Sequence, residues 1–346
     1  MFVIACNPCF FALIMGNLLS SARKRQSQSQ GVKPKTTAAA IALAKSQAYQ
    51  DVADAPGTLK AYASDVAHFE AWRRAQGFAA EPDPTVVGAY LAAAGEGYAP
   101  STLRRRVAAI ARAFGMTGHP LDTKHPAIRE TLRGIGRRHG ARARRAAALT
   151  TGDIRRICAA CDQGLSGIRD RALILLGFAG AFRRSELVGL NVEHIDWTQD
   201  GMTIFIERSK TDKTGEGAEI AIPRGRSEET CAVAALKIWI QASKILRGPL
   251  FRKINKAGRV EACRLGADAV RSILVMRARQ AGLQSKWQEP ISPHSLRAGF
   301  VTAAYGNGVL DEEIMRHTRH KNLATMRSYV RRSKLSTSSP AGKIGL

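Results

Sequence analysis

Acidic residues are the first scarcity. The 346-residue chain carries 28 Asp and Glu against 53 Lys and Arg, a net charge of +25. Such an excess repels itself within a folded chain and attracts polyanions. Nucleic acid is therefore the leading partner class. A basic membrane-surface protein would instead need an amphipathic helix with a broad basic face, and none stands out. Cysteine is sparse too. Its six positions (6, 9, 158, 161, 231 and 263) are too few for a disulfide framework in a chain this long, so a reduced, cytoplasmic protein is expected. Cys158 and Cys161 form a C-x-x-C on an apolar helical pattern with no second ligand pair, and read as core thiols rather than zinc ligands.

No clean apolar run of spanning length is present. "MFVIACNPCFFALIMGNLLSSARKRQ" is apolar and then basic, the reverse of a signal peptide. Asn7, Pro8, Gly16 and Asn17 interrupt the ~20 apolar residues that a membrane-spanning helix requires. Residues 1–50 are expected to be a disordered leader, or translated from an upstream start, and no membrane partner is expected. Also missing are a phosphate-cradling glycine loop, an H-E-x-x-H pair and a carboxylate cluster suited to two magnesium ions. Chemistry on nucleic acid is expected to proceed without metal or other cofactor.

What is there is mostly helical period. Leu59, Tyr62, Val66, Phe69 and Trp72 recur at threes and fours, as do Leu103, Val107, Ile110 and Phe114, with Arg104, Arg105 and Arg106 largely off that apolar face. Asp83 and Pro84 open another helix, and Ile128, Leu132 and Ile135 mark a fourth. Residues 51–136 read as a small all-helical domain. A basic linker, 137–146, follows. A second, mainly helical domain spans 147–335 and begins at a Thr150–Asp153 capping box. Within it, 202–207 and 218–222 read as a β-hairpin around a polar, glycine-bearing middle. Residues 336–346 form a tail. The fold class is mainly α with a small antiparallel β-sheet.

Cutting nucleic acid without a metal requires arginines to neutralise the phosphate. It also requires a nucleophile, a proton donor for the leaving oxygen and a base. The second domain supplies candidates. "RRSE" sets Arg183 three residues before Glu186, and "HSLR" sets His294 three before Arg297, each pair on one helix face. Lys210 stands where the first strand meets the hairpin turn. His320 precedes Tyr329 by nine residues in "HTRHKNLATMRSY". Each fragment alone is weak, since R-x-x-E is commonly an exposed salt bridge and a lone Tyr commonly a packed aromatic. Their joint order is specific.

That order resembles the tyrosine recombinase (phage integrase) family over roughly residues 50–335. The resemblance implies a helical, SAM-like core-binding domain followed by a mixed α+β catalytic domain. It implies that Tyr329 attacks the scissile phosphate to give a 3′-phosphotyrosyl, that Arg183 and Arg297 bind the non-bridging oxygens, and that Lys210 protonates the leaving 5′ oxygen. His294 would act as general acid and base, His320 would hydrogen-bond the phosphate, and Glu186 would orient the arginines. Lys213 competes with Lys210, and Arg184 neighbours Arg183 without its spacing to Glu186. His317 is out of register and reads as a helix-end residue, Tyr305 as a packing residue, and Asp311, Glu312 and Glu313 as helix N-terminal charges. Most family members carry glycine where this chain has Arg319, a departure that either adds a phosphate contact or alters the helix approach.

The family clamps duplex DNA, so Arg104, Arg105 and Arg106, with Arg137, Arg138, Arg142, Arg144 and Arg145 of the linker, are candidate phosphate contacts. The implied partner is double-stranded DNA with short inverted-repeat core sites, bound by a homotetramer on paired sites. Two other readings share much of the pattern: a monomeric type IB topoisomerase, and a catalytically silent DNA-binding relic.

Overall fold

Helix α1, Thr37–Asp51, stands inside the stretch expected to be a disordered leader. Six of its 15 residues are alanine, the strongest helix former. The computed structural model describes residues 37–51, 53–140, 145–207 and 216–330. They form two compact units dividing at residues 142 and 143. Residues 1–36, Arg142, Arg144, Lys210, Lys213 and the tail 336–346 lie outside the described residues.

The first unit contains α2 (Pro56–Ala75), α3 (Pro84–Ala94), α4 (Pro100–Met116) and α5 (Pro126–His139). Asp83 caps α3 by accepting from the Thr85 N–H at 2.7 Å. Phe69, Val87, Tyr90, Leu91, Leu103, Val107, Ile110, Phe114 and Ile128 form its core. The three arginines of α4 divide here. Arg104 is exposed, and Arg105 pairs with Asp65 through two hydrogen bonds at 2.7 and 3.0 Å. Arg106 is buried at 5% exposure, donates to the Tyr90 hydroxyl at 2.8 Å and lies 3.7 Å over the Tyr98 ring. The expectation that Arg106 faces phosphate is thereby corrected: its charge is already spent on Asp65 and two tyrosines. The linker expectation shifts as well, because Arg137 and Arg138 form the last turn of α5, where cations complement the helix dipole.

The second unit is built on α6 (Thr151–Ala159), α7 (Leu165–Ala179), α8 (Arg184–Gly189), α9 (Ala232–Ser243), α10 (Ala267–Gln280), α11 (His294–Gly306), α12 (Asp311–Thr318) and α13 (Leu323–Arg327). Thr150 and Asp153 make the reciprocal cap of α6. Helix α7 is largely buried, with Leu173, Ile174 and Leu176 inaccessible and Asp170 paired with Arg169 and Arg277. The three-stranded antiparallel sheet runs β1 (Ile195–Trp197), β2 (Gly201–Ile206), β3 (Ala218–Pro223) in that order. Ile204 opposes Ile220 and Met202 opposes Ile222, so one face joins the core, as period-two alternation requires. Strand β1 and a separate pair, β4 (Arg252–Ile254) with β5 (Val260–Arg264), were not expected. Cys158 and Cys161 are buried core thiols, pushed up to about 12 and about 11 by burial. Among the described residues, no helix is long and apolar enough to cross a membrane.

Candidate functional site

Four separate segments of the second unit meet at one place: the turn before α8, the start of α11, the end of α12 and the turn after α13. Glycine allows the closest approach. A Cβ on Gly299 of α11 would fall 2.0 Å from the Leu149 carbonyl oxygen, so this helix packs directly on backbone. Leu149 N–H also donates to the Ser295 carbonyl at 3.3 Å. The start of α11 is thereby fixed, with His294 exposed at its first position and Arg297 one turn on, 1% exposed.

Arg297 donates through Nη1 to the Ala181 carbonyl at 2.6 Å and through Nη2 to the Thr318 carbonyl. Nη2 also lies 3.1 Å from His320 Nε2. Its Nε is buried without a hydrogen-bond partner among the described residues. Burial, then the nearby Arg183 and Arg319 charges, push its pKa down to about 9, which leaves the guanidinium charged at neutral pH.

Arg183 is the N-cap of α8, and Glu186 is its third helical residue. The Glu186 carboxylate reaches back to accept from the Arg183 N–H at 2.8 Å and from its Nη1 at 2.6 Å. A third guanidinium shares it: Arg319 Nη2 donates to Glu186 Oε2 at 2.9 Å. Burial raises the Glu186 carboxyl, but Arg319 and then the Arg183 hydrogen bonds outweigh it and hold the group below the usual carboxylate range. Arg183 Nη2 approaches the Arg319 carbonyl at 3.5 Å, one peptide on from the carbonyl that Arg297 engages. Arg184 is turned away, to Asp268 at 2.7 Å, so the two neighbouring arginines are distinguished by geometry as well as spacing.

His320 is 8% exposed. Thr318 donates its hydroxyl proton to the Ile314 carbonyl at 2.6 Å, so it can only accept from His320 Nδ1–H, 2.6 Å away. Nε2 then carries a lone pair toward Arg297. Burial, followed by Arg297, Arg183 and Arg319, pushes the imidazole down to about 3, and the ring is neutral. The Tyr329 ring is half-buried, with its centroid 5.2 Å from that of His320. Helix α13 ends at Arg327, and Tyr329 lies in the turn after it. Met326 and Val330, buried against Val301 and Ile314, hold this turn from both sides.

The residues set aside in the sequence take ordinary places. His317 stacks on Phe300 at 4.6 Å and contacts the Ala179 carbonyl, while Tyr305 packs in the cluster with Met326. Asp311 opens α12 and pairs with Arg327. One residue of the site escaped sequence reasoning: Thr318 offers no signal, since a lone Thr at a helix end is unremarkable. Arg319, singled out in the sequence as a departure from glycine, turns its guanidinium to Glu186 and to the His317, Gly180 and Ala181 carbonyls.

The arrangement concentrates three guanidiniums around one carboxylate and a neutral imidazole, leaving a net positive pocket beside a phenol. Preorganised cations of this kind stabilise charge developing on phosphorus-bound oxygens. Residues 147–335 match the phage integrase family. The chain is 36% identical over 286 residues to an integrase/recombinase XerD homolog of Selenomonas ruminantium, covering 81% of this chain and 83% of the relative. Its fold is similar to that of the XerH site-specific recombinase bound to a palindromic difH substrate in a post-cleavage complex, with a TM-score of 0.61, 17% identity and 98% of each chain covered. It is also similar to a lambda integrase tetramer bound to a Holliday junction, with a TM-score of 0.55, 18% identity, and 94% of this chain and 81% of the other covered.

Proposed function

This chain belongs to the phage integrase family and is a tyrosine recombinase; on that premise we propose that it cuts and rejoins DNA at specific sites through Tyr329. The phenolic oxygen attacks the scissile phosphorus, its proton passing to His294. The P–O5′ bond breaks as the P–O(Tyr) bond forms, leaving a 3′-phosphotyrosyl and a 5′ oxygen that takes a proton from Lys210. Arg183 and Arg297 hold the non-bridging oxygens. A 5′-hydroxyl then attacks the phosphotyrosyl and reverses each step, so the phosphodiester is conserved in the covalent intermediate and the cycle calls for neither ATP nor a metal.

The observation that carries this reading is the line Arg297, His320, Tyr329, joined at 3.1 Å and by rings 5.2 Å apart. In the free site His320 accepts from Arg297. A bound phosphate competes for that N–H and supplies the negative charge that favours a proton on Nε2, turning the ring into a donor to the phosphate. Exposed Arg104, Arg137, Arg138 and Arg145 would meet the DNA backbone, with Arg105 beside them and Arg142 and Arg144 by sequence alone. The working form is a homotetramer on paired, short inverted-repeat sites, in keeping with the lambda integrase assembly.

The test begins with duplexes selected from a random library by binding to full-length Tyr329→Phe protein. A nicked suicide version of the selected duplex should give a covalent adduct with wild type and none with Tyr329→Phe. Relaxation of plasmids lacking the site, without exchange between two sites, would instead assign a topoisomerase. No adduct on any selected duplex would assign a silent DNA-binding protein.

A further inference from the structure

Arg319 has no part in the chemistry just proposed, yet its side chain is only 8% exposed. Its backbone stands at φ +57°, a left-handed conformation that disfavours any residue with a Cβ relative to glycine. What offsets that strain is a set of internal contacts made by both terminal nitrogens, with Nε alone buried without a hydrogen-bond partner among the described residues. Nη1 donates to the His317 carbonyl at 2.8 Å and the Gly180 carbonyl at 3.3 Å. Nη2 donates to the Ala181 carbonyl at 3.3 Å and to Glu186 Oε2 at 2.9 Å. The guanidinium carbon lies 5.3 Å over the Phe182 ring. The group thus ties the end of α12 to the turn that carries Arg183, and every one of these contacts faces inward.

Glu186 is the hinge of this arrangement. Its Oε1 serves the Arg183 side chain, while Oε2 is shared by the Arg183 N–H and Arg319. The terminal torsion of a glutamate is broad, so a ligand on each oxygen is what sets the carboxylate plane. That plane in turn sets the direction of the Arg183 fork. Arg319 also presents its own carbonyl to Arg183 Nη2, so both ends of the residue bear on the same guanidinium.

We propose that Arg319 is a positioning residue, holding Glu186 and through it Arg183 in the orientation that meets a non-bridging phosphate oxygen. The proposal rests on the phosphate-binding role given to Arg183 above. Lysine at this position would keep the charge but lose the planar fork that spans carboxylate and carbonyls together.

The experiment uses the full-length chain and the nicked suicide duplex described above. Adduct formation at saturating DNA and the DNA Kd are measured for wild type, Arg319→Gly, Arg319→Lys, Glu186→Gln and the double variant Arg319→Gly with Glu186→Gln. Arg319→Gly is expected to slow adduct formation by about tenfold or more through misplacement of Arg183, with Kd changed less than about twofold. Arg319→Lys should recover part of the rate. In the Glu186→Gln background, removing Arg319 should cost less than about threefold, because the carboxylate it acts through is gone. Equal losses in both backgrounds, a wild-type rate in Arg319→Gly, or a loss confined to Kd overturns the proposal. If circular dichroism shows Arg319→Gly unfolded, Arg319→Lys carries the same cycle and the same criterion. A wild-type protein that forms no adduct is a distinct result, which removes the reading of the site and this proposal with it.

Discussion

Thr318 and His320 are joined by a 2.6 Å hydrogen bond whose direction is dictated by a third group, the Ile314 carbonyl that takes the threonine proton. The imidazole is held as one tautomer and kept neutral by burial and three guanidiniums. In the unfolded chain the same ring titrates near its ordinary 6.5, whereas in the folded site it does so at about 3. Between those values the unfolded state binds the extra proton, so stability rises with pH across this window. The contribution is complete above pH 6.5 and is lost as pH falls toward 3. Thermal melts from pH 7 down to 4.5 should show Tm falling, and falling less steeply in His320→Gln. Parallel slopes in the two proteins would refute this account.

Thr318→Val keeps the shape and deletes the acceptor. A buried Nδ1–H left without a partner costs about 1–3 kcal/mol, and the tautomer is no longer fixed. Denaturant unfolding should show that loss, and adduct formation should fall while DNA affinity stays near wild type.

Gly299→Ala tests the seat of α11. The new methyl would sit 2.0 Å from the Leu149 carbonyl oxygen, so the helix or the segment leading into α6 must shift, at a cost of about 1–3 kcal/mol. Tm should fall by about 2–4 °C for each kcal/mol in a unit of this size. Because His294 and Arg297 move with the helix, adduct formation should fall as well. A wild-type Tm would show that the packing is looser than described.

Met326→Ala probes the small cluster that seats Tyr329. Met326 is fully buried, and truncation of such a side chain costs about 2–5 kcal/mol. That cluster is separate from the main core, so the loss should appear locally. Hydrogen exchange over residues 323–330 should quicken and adduct formation drop. Leu173→Ala, in the main core, should lower Tm further.

The arginines of α4 should separate on salt. Arg104 is exposed, and Arg104→Ala should reduce the slope of log K against log salt by about 1 without changing Tm. Arg106→Ala should leave the slope alone and lower Tm, since it removes one buried partner each from Asp65 and Tyr90. The measurement is a binding titration between ~50 and ~200 mM salt.

Much of the fold was legible because its signals are local. The Leu103, Val107, Ile110, Phe114 stripe repeats at the helical period and is buried, and the Thr150–Asp153 box caps the helix it announced. Strand β1 has three residues, too few for a period to show. Helix α1 was hidden by its position behind residues of unlike composition. Arg106 misled for a different reason: its burial depends on Asp65, Tyr90 and Tyr98, which sit on other segments of the unit.

The candidate site divides the same way. Order and spacing, with the family resemblance they carry, picked out Arg183, Glu186, His294, Arg297, His320 and Tyr329 as candidates, because side-chain chemistry and helical phase are properties of the chain. Which carbonyl each guanidinium meets, which nitrogen of His320 holds the proton, and that Arg319 turns inward to Glu186 were settled only by folding. Those are properties of surroundings assembled from segments more than a hundred residues apart, such as Arg319 and Glu186, and a proton or a fork takes its direction from neighbours that the linear chain does not place.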